Sequence, residues 1–187
     1  MKGEAFSYLS VLVSIVLGLG IAHLLGSVIR LIVHRGRIGS YWPSVIWVIN
    51  LLLIMLLVWW TDFSLTSHTG WTFAIFVFTI AVPALLYVIS GLILPPGVED
   101  MQRAYQENRQ WFFALLVIGI LATFGQSYLL DGHLTLNADF GLKLLMAAIT
   151  AVPIFLPQDT VQKTVAVASL AWTVSYIVLL FNTLPHT

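Results

Sequence analysis

Read from its amino end, the chain alternates long apolar runs with short polar turns. Six runs of about twenty residues stand out, at 7–33, 41–62, 71–94, 111–130, 138–156 and 161–183. A helix needs about 20 mostly apolar residues to cross the hydrocarbon core of a bilayer. The turns between the runs are HRGRIGS, DFSLTSHTG, PPGVEDMQRAYQENRQ, DGHLTLNAD and PQDTVQK. None is long enough to house a second domain, and short turns force neighbouring helices to run antiparallel. The pattern therefore predicts an all-α integral membrane protein, one bundle of six transmembrane helices over residues 1–187.

Composition strengthens this reading. The chain is 59% hydrophobic and 9% charged, against about 25% charged residues in an ordinary soluble domain. So little charge cannot cover a water-facing surface. The first apolar run, from Ser7 to Val33, exceeds the 7–15-residue core of a signal peptide, and Glu4 disturbs the expected basic flank. It is expected to be a first span.

Charge placement orients the bundle. Arg30, Arg35, Arg37, Arg103, Arg109 and Lys163 fall on one side, Lys2 and Lys143 on the other. Under the positive-inside rule the richer side is cytoplasmic, which places both termini outside. Tyr41, Trp42 and Trp111 then belong to the cytoplasmic interface, and Trp59, Trp60, Trp71 and Tyr128 to the outer one. The middle of the longest loop, around Asp100 to Arg109, reads as a short interfacial helix. A bacterial inner membrane fits the short loops and the lack of an N-glycosylation sequon. The balance of eight basic and eight acidic residues offers no basic footprint for nucleic acid. The absence of cysteine removes disulfide, iron–sulfur and thiol chemistry.

The first run carries the most specific signal. Ser10, Ser14, Gly18, Ala22 and Gly26 recur at every fourth position. Such a ridge without bulk lets helices approach closely, which is how helices are held together where lipid removes the hydrophobic effect. It predicts a first helix central to the bundle, packed on its small face against the same chain or a second copy. Homo-oligomerisation is the expected assembly, with membrane lipids the other partners.

On the inner half of that helix, His23, Ser27, Arg30 and His34 follow at spacings of four, three and four. Ionisable groups inside a span are expensive and mark functional sites by default. Asn50 and Gln126 are lone amides in apolar spans, suited to holding helices together or to lining a pathway. His23, Ser27, Arg30, Asn50 and Gln126 are the candidate ligand or ion pathway. Trp47, Trp172 and Tyr176 are candidate lining for an apolar pocket. Lys143 and Asp139 are spaced for a helical ion pair. Pro83 and Pro153 release the carbonyls of Thr79 and Ile149 and kink their spans. Neither the spacing of His68 and His133 nor any other motif calls for a metal or a cofactor. A nucleotide-binding loop, a serine elbow, a zincin helix and a potassium filter are all missing from the sequence. What remains is a small homo-oligomeric channel or transporter for an ion or small polar solute. The alternatives are a membrane-embedded binder or sensor of a lipid, quinone or other hydrophobic ligand and, less favoured, a redox or enzymatic subunit built on His23.

Overall fold

A computed structural model describes residues 4–33, 41–62, 65, 68, 70–95, 100–133 and 136–180. His34 and the basic turn that follows it lie outside these residues. Among the described residues six helices account for the architecture: α1 Glu4–Val33, α2 Trp42–Asp62, α3 Phe73–Ile93, α4 Met101–Asp131, α5 Ala138–Phe155 and α6 Asp159–Leu180. All six are long and apolar enough to span a membrane. The chain is a multi-pass integral membrane protein.

Local chemistry sets the helix ends. The side chain of Thr72 accepts the Ile75 amide at 3.3 Å to start α3, and Asn137 accepts the Phe140 amide at 2.9 Å to start α5. These are N-caps that satisfy amides with no partner inside the helix. At the end of α4, Gly132 takes the left-handed conformation (φ 75°) and donates to the Tyr128 carbonyl. A side chain there would be strained.

One boundary differs from expectation. No separate interfacial helix forms around Asp100 to Arg109. Asp100 caps at 3.1 Å a helix that continues unbroken from Met101 to Asp131. The segment is amphipathic at helical period: Met101, Ala104, Tyr105 and Arg109 are buried, while Gln102, Arg103, Glu107 and Gln110 are exposed. Arg103 and Glu107 pair on the outer side at 2.9 Å. Propagating an existing helix adds one hydrogen bond per residue without a second nucleation cost.

Helices α2 to α6 close a ring, in which α3 packs on α4, α4 on α5, α5 on α6, α6 on α2 and α2 on α3. The first helix lies outside this ring against α2 and α3. The expectation of a central α1 gripped on its small face is therefore corrected. Leu9, Val13, Leu17, Leu24 and Ser27 are the buried stripe of α1. Ser14, Gly18 and Ala22 are exposed, and a methyl group added at Gly18 would meet nothing within 4 Å. In lipid, dispersion contacts decide which face is buried, and a leucine stripe offers more of them than a serine–glycine ridge. Ser14 does take one bond within the chain, from the Trp59 indole at 3.3 Å. The close approach occurs instead at Gly20, off the ladder. A Cβ there would stand 2.7 Å from Met55 Cε and 3.6 Å from Tyr87 Cα.

The ends of the helices define two faces. The terminal face carries the start of α1 and the end of α6, and the opposite face the starts of α2, α4 and α6. On the opposite half, aromatic rings fill the centre of the ring. Trp47 packs edge-on against Phe112 at 5.2 Å and Phe113 at 5.3 Å, and the two phenylalanines meet at 5.0 Å. Tyr41 and Tyr105 lie beneath them at 5.1 Å.

Two substitutions separate the roles of the glycines. Gly20→Leu should lower Tm in detergent, since overpacking of this kind costs about 1–3 kcal/mol. Gly18→Leu should leave monomer melting unchanged and alter only self-association, read by light scattering. Equal melting losses for both would contradict the placement of α1.

Candidate functional site

Toward the terminal face the ring is not filled. A cavity of ≈ 390 Å³ lies between α2, α3, α4, α5 and α6. Its walls are mainly apolar, with Ile54, Val58, Leu86, Ile89, Leu116 and Met146 among the lining side chains. Polar groups collect toward the terminal ends of the helices: Asp62 on α2, Gln126 and Ser127 on α4, Asp139 and Lys143 on α5, and Tyr176 on α6. Leu116 is the deepest contribution of α4. One turn further, Phe112 and Phe113 begin the aromatic block, so the cavity ends there.

Most of the polar lining is already partnered. Lys143 Nζ meets Asp139 Oδ2 at 2.8 Å. Tyr176 donates its hydroxyl to Asp139 Oδ1, tying the end of α6 to the start of α5. Gln126 Nε2 donates to Thr79 Oγ1 at 3.4 Å, and that hydroxyl donates to the Ile75 carbonyl at 2.9 Å. The hydroxyls of Thr123, Ser127 and Thr150 turn back on carbonyls of their own helices at 2.7, 3.0 and 2.8 Å. Asp62 is different. Its Oδ2 is buried and has no hydrogen-bond partner. The cavity is thus an apolar chamber whose mouth holds a satisfied Lys–Asp–Tyr group and an unsatisfied carboxylate oxygen.

The candidate residues do not come together as one pathway. Gln126, Trp172 and Tyr176 line the cavity. Trp47 belongs to the aromatic block beneath it. Asn50 is 0% exposed, and neither amide atom has a partner. His23, Ser27 and Arg30 follow α1 to the outside of the ring. Ser27 Oγ donates to the His23 carbonyl at 3.0 Å and accepts from Arg30 Nη2 at 2.6 Å. His23 Nε2 is buried without a partner. Ser10, Ser14, Gly18, Ala22 and Gly26 lie away from the cavity on the same helix.

Two residues escaped the sequence reading. Asp62 reads as a loop acid, yet it continues the helical stripe of Ile54 and Val58, four residues apart each time, into the cavity. Arg109 reads as the end of a short interfacial helix in the longest loop, yet it lies on the buried stripe of α4 with Tyr105 and Phe113 and is only 8% exposed. In both cases the signal was the period, hidden because the residue sits where the apolar run ends.

Beneath the block, Tyr41 donates to Asp159 Oδ1 at 2.7 Å, and Tyr105 donates to Gln162 Oε1 at 3.0 Å. Gln162 Nε2 closes the chain on the Leu156 carbonyl at 2.9 Å. Burial, with the Asp159 carboxylate beside it, pushes the Tyr41 phenol above its ordinary value. The neutral phenol is the form favoured by folding. Its contribution is fully present below the unfolded value of about 10 and is lost as pH rises beyond it.

Alkaline unfolding should therefore steepen above about pH 10 in the wild type and less so in Tyr41→Phe, which should also lose about 1 kcal/mol at neutral pH. Identical pH profiles for the two proteins would contradict this account. Compared with known protein families, curated proteins and solved structures, the chain finds no match, so function is read from the cavity itself.

Proposed function

We propose that this membrane protein binds an amphipathic small molecule in the terminal-face cavity, the molecule's apolar body inside and its donor-bearing head against Asp62. The observation that carries this reading is the buried, unpartnered Asp62 oxygen at the mouth of a largely apolar chamber. A carboxylate withdrawn from water without a partner is unfavourable. A protonated amine or a strong neutral donor would remove that penalty. The volume falls within the range of about 300–1,000 Å³ usual for small-molecule sites, which are also mostly apolar with few polar groups. A lipid-like or other hydrophobic ligand with a basic head suits both features. The excess of Lys and Arg toward the opposite face supports an orientation in which the cavity opens away from the cytoplasm, as in a bacterial inner membrane. The exposed small-residue ridge of α1 is available to a second copy, which supports a homo-oligomer.

Transport of an ion or small polar solute is the second reading. It is favoured by the unpartnered polar atoms of Asn50 and Arg109, which stand one helical turn to either side of the block. It requires Trp47, Phe112 and Phe113 to move apart during each cycle.

Titrating the detergent-solubilised protein with dodecylamine, followed by tryptophan fluorescence, tests the first reading. The wild type should bind, and Asp62→Asn should bind about tenfold more weakly or worse, as expected for loss of a hydrogen bond to a charged group. Asp62→Asn should not lower Tm, because the carboxylate it replaces has an unpaired oxygen. Equal affinities in the two proteins, or binding of dodecanoate in preference to the amine, would overturn the reading. Solute flux in proteoliposomes that rises on Trp47→Ala would favour transport instead.

A further inference from the structure

The half of the ring interior below the aromatic block holds a second group of residues that the cavity does not use. Arg109 is 8% exposed, and both its Nε and Nη1 are buried with no hydrogen-bond partner. It stands one turn after Tyr105 and one turn before Phe113 on the buried stripe of α4, so its side chain belongs to the interior. Just before α2, Tyr41 packs on Tyr105, and on α2 Trp47 packs on Phe112 and Phe113. Ser44, between those two contacts, falls at the level of Arg109. Its Oγ is buried and unpartnered. The Trp47 indole nitrogen is likewise buried and without a hydrogen-bond partner.

The chemistry of this group is one-sided. A guanidinium and an indole N–H only donate, and a serine hydroxyl can donate. The acceptors nearby are taken. Gln162 Oε1 accepts from Tyr105, and Asp159 holds Tyr41 and Lys163. Glu107 pairs with Arg103 on the outer side, and Asp100 caps α4. Among the described residues no carboxylate reaches Arg109. A guanidinium removed from water without a counter-charge is strongly unfavourable, so the group lacks an anion. The planar fork of arginine matches the two oxygens of a phosphate or carboxylate. Exposed Gln102, Arg103, Glu107 and Gln110 on the same stretch of α4 mark this end as water-facing. An ion can approach from there.

We propose that Arg109, with Ser44 and Trp47 as additional donors, forms an oxyanion-binding site of phosphate or carboxylate type on the opposite face of the bundle. The oxyanion comes either from solution or from a phospholipid headgroup. The aromatic block separates this site from Asp62, so the two stand or fall independently.

The test measures Tm of the full-length protein in dodecyl maltoside. Sodium phosphate is compared with sodium chloride at equal ionic strength, and dihexanoyl phosphatidylglycerol with an uncharged short-chain glyceride. Phosphate or the anionic lipid should raise wild-type Tm by about 2–4 °C at saturating concentration. Protection by phosphate identifies a soluble oxyanion. Protection by the lipid alone identifies a headgroup. Arg109→Met should lose the protection without a lower starting Tm, because it removes an uncompensated charge. Arg109→Lys and Ser44→Ala should retain less than half of it and carry the test if Arg109→Met does not fold. Asp62→Asn should keep all of it. The proposal is overturned if neither probe protects the wild type, or if the Arg109 and Ser44 variants are protected equally.

Discussion

The contact of Trp47 with Phe112 and Phe113 determines the shape of the interior. Three rings, each almost without exposure, meet at 5.0–5.3 Å in the middle of the helix ring. Edge-to-face aromatic pairs are favourable beyond the area they bury. In a bilayer, where apolar surface gains little by leaving lipid, such directional packing does much of the work of holding helices together. Because the block fills one half of the ring, the other half is left as a chamber. The chamber, its floor and the separate polar group beneath the floor all follow from the position of these rings.

Around the block the polar side chains sort by whether their bonds are complete. Tyr41–Asp159, Tyr105–Gln162–Leu156 and Lys143–Asp139–Tyr176 are closed chains of donors and acceptors that join different helices. Asp62 and Arg109 are not closed, and they lie at opposite ends. A membrane interior offers no water to complete them. One end presents an acceptor and the other donors, so a ligand for each differs in sign. This asymmetry gives the two halves of a compact bundle different chemistry with only a handful of polar residues.

The position of α1 shows how an inference from spacing can pick the wrong face. Its small ladder is regular, but the neighbouring stripe of Leu9, Val13, Leu17 and Leu24 packs against the chain. Spacing reveals that a helix has a smooth ridge. It does not reveal whether a neighbour of the same chain stands there. The same limit applies to His23, Ser27 and Arg30, which form a local group on α1 yet share no cavity with Gln126.

Six spans, their order and their antiparallel connection were legible in the residues, because length and hydropathy are summed along the chain and need no partner. The Lys143–Asp139 pair was legible for the same reason, since i,i+4 neighbours meet in any helix. Gln126, Trp172 and Tyr176 could be singled out by residue type, but that they share a cavity depends on five helices meeting at one level. Asp62 and Arg109 went unrecognised because each looks like an interfacial charge until the spanning helix is seen to continue through it and a neighbouring helix to shut out the water. Only tertiary packing decides whether a polar atom at the end of an apolar run is solvated, partnered or left waiting for a ligand.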